Sequence, residues 1–138
     1  MMNGFSRTVD ILHRALDVNS MRYQVSADNL ANAEVPNFKR TEVNFESALK
    51  RAFESETTAA DQVRLITTDP RHIHNDTFID YRTVEPRRVT DYLSTVKANG
   101  NNVDAEQEAM NILKIQMNYQ LLSQLENFQF SQAKVILK

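Results

Sequence analysis

A chain of 138 residues with 41% hydrophobic and 25% charged side chains carries enough apolar material for a folded domain and too much for wholesale disorder. Its formal charge of -2 supplies no basic excess to attract nucleic acid and little repulsion between copies. Gly4 and Gly100 are the only glycines, which excludes a phosphate-cradling glycine-rich loop, and the lack of cysteine excludes disulfides and thiolate metal sites.

The opening Met1-Met2-Asn3-Gly4-Phe5-Ser6-Arg7 has no basic stretch followed by an apolar core, so no cleaved secretory signal is expected. Residues 6–33 contain neither Pro nor Gly. Val9, Leu16, Tyr23 and Leu30 recur at heptad spacing, joined by Leu12, while Asn19 and Ser26 interrupt the intervening seam. Ile11, Ala15, Val18 and Val25 form an adjoining stripe. The pattern predicts a long helix with a broad apolar face, ending shortly before Pro36, which disfavours helical geometry at Val35. The polar Asn19, Ser26 and Asn29 have two readings: a helix seam that selects one register, or a solvated face.

Phe45, Ala48, Leu49, Ala52 and Phe53 predict a short amphipathic helix over about 44–55. The small polar residues 55–62 read as a loop, and Val63 to Thr95 as short strands or extended pieces. Ala98 to Asn102 reads as a turn. From about 103 to 137 a second long helix is expected, with two stripes. Met110, Leu113, Met117, Leu121, Leu125 and Phe128 form one; Ala105, Ala109, Ile112, Ile115, Tyr119 and Leu122 form the other. Asn101, Asn102 and Asp104 offer N-cap oxygens, and Glu106 and Glu108 place negative charge in the first turn.

The fold class expected is mainly α: long N-terminal and C-terminal helices packed as an antiparallel, coiled-coil-like pair, with a small middle segment of one short helix plus extended or β pieces. It is read as one domain, 1–138, with helices in 1–35 and 103–138 around a middle segment 36–102. That middle is too small and polar to cover both helices, so their full burial needs a partner or further copies of the chain.

Candidate sites are few. His72 and His74, with Asp76, would place two imidazoles on one face of a strand, but no third ligand is obvious, and a solvated loop is the preferred reading. The pairs Glu106 with Glu108 and Glu42 with Glu46 lack an apolar pocket in the nearby sequence, and are read as solvated charge, Glu42 and Glu46 sharing a helix face. Arg82, Arg87 and Arg88 are read as a surface patch. No cofactor, metal, catalytic residue, nucleic acid or small-molecule substrate is expected.

Two stretches carry a resemblance. Ser26 to Lys39, with Asn29, Asn32, Pro36, Phe38 and Lys39, resembles the N-terminal signature of the bacterial flagellar rod and hook family. Gly100 to Glu108, with Asn102, Val103 and Asp104, is similar to the opening of the C-terminal helix in basal-body rod proteins of the FlgB type; Tyr119 to Leu125 and Thr68 to Ile73 extend the likeness. Asn37 stands where that family usually has Gly, and Asp28 where Asn is usual. Asn tolerates the left-handed backbone such a turn requires better than most residues do, so the turn is expected to survive.

The resemblance implies a structural subunit of the proximal rod that assembles with other copies of itself, other proximal rod proteins, the MS-ring junction protein and the export gate. It further implies a periplasmic rod location reached through the flagellar type III apparatus, transmission of torque and enclosure of the export channel. The apolar helix positions Val9, Leu12, Leu16, Tyr23, Leu30, Met110, Leu113, Met117, Leu121, Leu125 and Phe128 are the expected packing and assembly interface. Another proximal rod protein, a soluble helical adaptor or secretion chaperone, and an enzyme using His72 and His74 are the competing readings.

Overall fold

The computed structural model describes residues 4–61, 69, 71, 78–94 and 97–136. In chain order these form α1 (Gly4–Ala31), β1 (Thr41–Asn44), α2 (Glu46–Asp61), a 3-10 turn (Tyr81–Thr83), β2 (Arg87–Thr90) and α3 (Ala105–Ile136). The chain divides into two compact units, 1–43 with 88–138, and 44–87.

The first unit is built on α1 and α3, of 28 and 32 residues, roughly 42 and 48 Å long at 1.5 Å per residue. They pack antiparallel: Phe5 meets Phe130, His13 meets Glu126, Asn19 meets Ile115 and Asn29 meets Glu108, so positions rising along α1 meet positions falling along α3. The long antiparallel pair is the architecture the periodicity predicts. α1 ends at Ala31, and the backbone N–H groups of Asn32, Ala33 and Val35 close a final turn before Pro36. Asp104 caps α3, its Oδ1 accepting from the backbone N–H groups of Glu106 (3.0 Å) and Gln107 (3.3 Å).

Strands β1 and β2 pair in a two-stranded sheet. Asp91 N–H donates to the Arg40 carbonyl and the Thr41 and Thr90 hydroxyls lie 3.3 Å apart, pairs that run in opposite chain directions and make the sheet antiparallel. Val18, Val25, Ala33, Val103 and Ile115 are the buried apolar residues of this unit among those described.

In the second unit, α2 begins later and runs longer than its periodicity predicts. Residues 41–44 are strand, so Glu42 and Glu46 do not share a helix face. The helix continues through most of the stretch expected to be a loop. The hydroxyls of Ser55, Thr57 and Thr58 donate back to the carbonyls of Ala52 and Glu54, so these residues satisfy themselves inside the helix instead of breaking it. Phe45, Ala52 and Val84 are buried, and the rings of Phe53 and Tyr81 lie 5.9 Å apart. Of the extended pieces expected over 63–95, β2 and the 3-10 turn are described; Leu65, Ile66, His72, His74 and Asp76 lie outside the described residues. No helix among the described residues is long and apolar enough to cross a membrane.

Candidate assembly surface

The motif segments that lie far apart in sequence close on one another at one end of the helix pair. Asn29, 1% exposed near the end of α1, accepts from Thr41 N–H (3.0 Å) and donates to the Thr41 carbonyl (2.8 Å), which fastens β1 to the helix. Asn32 donates to the Asp28 carbonyl at 2.7 Å. Fully buried Asn101 turns its amide nitrogen toward the carbonyls of Asn32, Ala33 and Val35, at 3.0, 3.0 and 2.8 Å, and its oxygen accepts from Val103 N–H at 2.7 Å. Its side chain thereby braces the turn that follows α1, where the Asn32 and Val35 carbonyls also accept from the backbone N–H groups of Val35 and Phe38.

Asn102 accepts from Arg40 N–H (2.6 Å) and donates to the Asp91 carbonyl (2.8 Å) and the Ser94 hydroxyl (3.1 Å). Lys39 reaches the Ser94 carbonyl at 3.4 Å, and Lys97 donates to the Ala33 carbonyl and to Glu34, both at 2.8 Å. The Asp91 carboxyl is held below its ordinary pKa by the Ser94 hydroxyl and by the backbone N–H groups of Ser94 and Leu93. Pro36 is exposed and Phe38 half-buried, on the turn between these fastenings.

Two left-handed residues abut there. Asn37 has φ 60° and Gly100 φ 82°, and Asn37 N–H donates to the Asn99 carbonyl at 3.0 Å. A Cβ on residue 100 would lie 2.6 Å from Asn37 Oδ1, the end of an exposed side chain that would have to shift, and the backbone angle is what favours glycine there. The tolerance expected of Asn at position 37 is realised.

Inside this closure sits a carboxylate that the sequence reading placed in solvent. Glu108 is fully buried. Its Oε1 accepts from Arg40 Nε at 2.5 Å and from Asn29 Nδ2 at 3.4 Å, and Arg40 also pairs with Glu42. Burial alone would lower the Arg40 pKa, but the carboxylates of Glu42 and Glu108 outweigh it and hold the guanidinium above its ordinary value. Glu108 Oε2 has no hydrogen-bond partner among the described residues. Glu108 lies one heptad, two helical turns, before Ile115 on the side that faces α1, and that register is the signal that identifies it as buried.

The seam itself is more polar than the heptad of large residues suggests. Val18, Asn19, Val25, Ser26 and Asn29 are the buried residues of α1, and Asn19 donates to the Ile115 carbonyl at 2.8 Å. The interrupting positions Asn19 and Ser26 are therefore the ones turned inward. Val9, Leu12 and Leu16 are half-buried, whereas Tyr23 and Leu30 are exposed. Of the adjoining α3 stripe, Ile115 is buried against α1, Ala105, Ile112 and Leu122 are half-buried, and Ala109 and Tyr119 are exposed. The other stripe, Met110, Leu113, Met117, Leu121, Leu125 and Phe128, is 43–70% exposed along its whole length. At about 100° per residue its axis lies roughly 140° around the helix from Glu108 and Ile115. α3 thus carries apolar side chains on two sides and buries one of them within the chain.

No protein-family profile matches the chain. Its full length nevertheless aligns with curated relatives. The flagellar basal body rod protein FlgB of Borreliella burgdorferi is 40% identical over 99% of this chain and 100% of the relative. The chain belongs to the FlgB family of flagellar basal body rod proteins. The FlgB of Borrelia hermsii is likewise 40% identical over 99% of this chain and all of the relative, and that of Bacillus subtilis is 32% identical over 99% and 97%.

Proposed function

We propose that this FlgB-family chain is a structural, non-catalytic subunit of the proximal rod, and that its exposed α3 stripe packs against neighbouring subunits. The observation that carries the reading is the run from Met110 to Phe128, roughly 27 Å of continuously exposed apolar helix surface. A helix apolar on more than one side is built to be enclosed. Neighbours of the same chemistry are further copies of the chain and other proximal rod proteins, with the MS-ring junction protein and export gate at the base. Helices packed in this way around a tube would transmit torque and enclose the export channel, and export through the flagellar type III apparatus would deliver the chain without a cleaved signal.

Leu121→Asp tests this directly. It removes roughly 1.5–3 kcal/mol of apolar burial at each contact and adds an unpaired carboxylate to a desolvated face. The expected outcome is a subunit that is secreted but missing from isolated basal bodies, with no filament. Lys114 borders both the stripe and a notch beside it, so a charge placed there would not be a neutral comparison; exposed Asn127→Asp is the control and should leave assembly intact. Normal swimming with Leu121→Asp would refute the proposed use of this face.

A further inference from the structure

Beside the seam the first unit holds a polar notch of about 210 Å³. α1 contributes Arg22, Val25 and Ser26, the start of the sheet contributes Arg40 to Val43, and α3 contributes Asn111, Lys114 and Ile115. Its polar lining is dominated by donors. The Ser26 hydroxyl, on a residue only 8% exposed, has no hydrogen-bond partner among the described residues, although a helical serine ordinarily bonds back to its own backbone, as Thr8 does to Gly4. The Lys114 ammonium has no hydrogen-bond or ion-pair partner among the described residues, and neither has the Asn111 amide nitrogen; the Asn111 oxygen accepts from Gln107. Arg22 spans the wall to the Val43 carbonyl at 3.4 Å. Glu42, the acid of the lining, is engaged by Arg40.

An acceptor-only, negatively charged group is what such a lining lacks, and a carboxylate has that chemistry. The same chain presents carboxylates on a different side of α1. Asp17 and Asp28 are exposed, have no side-chain partner among the described residues and stand eleven residues apart, so they stack on one line of α1 turned away from α3. We propose that the notch receives Asp17 or Asp28 from α1 of a second copy. This inference rests on the rod reading above and adds the contact that sets one copy against the next. Acceptor and donor faces lie on different sides of the subunit, so the contact is head-to-tail: each copy can fill one neighbour's notch while its own is filled by another. Contacts of that kind build open helical assemblies, not closed dimers.

The absence of cysteine makes the test direct. Chains carrying Lys114→Cys with Asp17→Cys, or Lys114→Cys with Asp28→Cys, are incorporated into rods, and isolated basal bodies are treated with a short bismaleimide. At least one pair should give a ladder of linked copies, and the single-cysteine chains none. In parallel, Lys114→Glu should lower rod incorporation on the order of tenfold, the equivalent of one lost charge-assisted contact. Asp17→Lys or Asp28→Lys in the same chain should restore it. Unchanged circular dichroism and urea midpoint of Lys114→Glu would exclude misfolding as the cause. Absence of the unaltered chain from basal bodies would sink the rod reading and this contact together. Normal incorporation without a ladder from either pair, or loss with Lys114→Glu that neither reversal repairs, would overturn this contact alone.

Discussion

Removing the Glu108 carboxylate should unfasten the end of the helix pair that holds the motif residues. Glu108→Ala leaves Arg40, whose side chain is 23% exposed, beside a cavity where its buried partner stood, and deprives Asn29 of an acceptor. Removing one member of a fully buried ion pair costs about 3–5 kcal/mol. Arg40 keeps Glu42 and some solvent, which places the expected loss near the bottom of that range, about 3 kcal/mol. Against a total stability of about 5–15 kcal/mol that is a large fraction. For a unit of this size it corresponds to a fall in Tm of about 10–20 °C. The assay is urea and thermal unfolding of the isolated subunit followed by circular dichroism. The double replacement Arg40→Met with Glu108→Met removes both charges and should recover most of the loss, because an apolar pair of similar volume needs no compensation. A Glu108→Ala loss below about 0.5 kcal/mol, the scale of an ordinary surface substitution, would refute the assignment of Glu108 as a buried anchor.

Hydrogen exchange on the isolated subunit should be slowest over 18–33 and 101–115, where the described core of the helix pair lies, and fast over 4–14 and 120–136, which include none of the buried residues; uniform protection along both helices would contradict this. Gly100→Ala should cost about 1–3 kcal/mol in urea unfolding through its positive φ and the clash with Asn37, and Asn37→Gly in the same chain should return only the steric part. Asp91→Asn should destabilise at neutral pH. The folded pKa of Asp91 lies below its unfolded value, so its stabilisation is present above the unfolded pKa and is lost as pH falls through the folded one. The two proteins should therefore converge in Tm as pH drops below about 4, and a gap that persists at lower pH would show that the carboxylate charge is not the cause.

The long helices were legible because their causes are local: residues 6–33 and 103–137 contain no breaker, Pro36 stops the first, and Asp104 caps the second. The left-handed turn at Asn37 was legible for the same reason, since few side chains tolerate that backbone. The end of α2 was not, because Ser55, Thr57 and Thr58 suit either a loop or a helix in which they bond their own carbonyls. Which stripe of a doubly apolar helix faces its partner is not a local property either. Large side chains at heptad spacing favoured Tyr23, Leu30 and the Met110–Phe128 series, yet the chain buries Asn19, Ser26, Asn29 and Glu108. Packing decides this through long-range pairing: Asn19 finds the Ile115 carbonyl, Asn29 finds Thr41, and Glu108 finds Arg40 from 68 positions away. Sequence periodicity determined that both helices exist and are apolar enough to need company; only the tertiary structure decided that polar side chains lock them together and that the larger apolar stripe stays outside, because a buried polar group is tolerated only where its partner is in place.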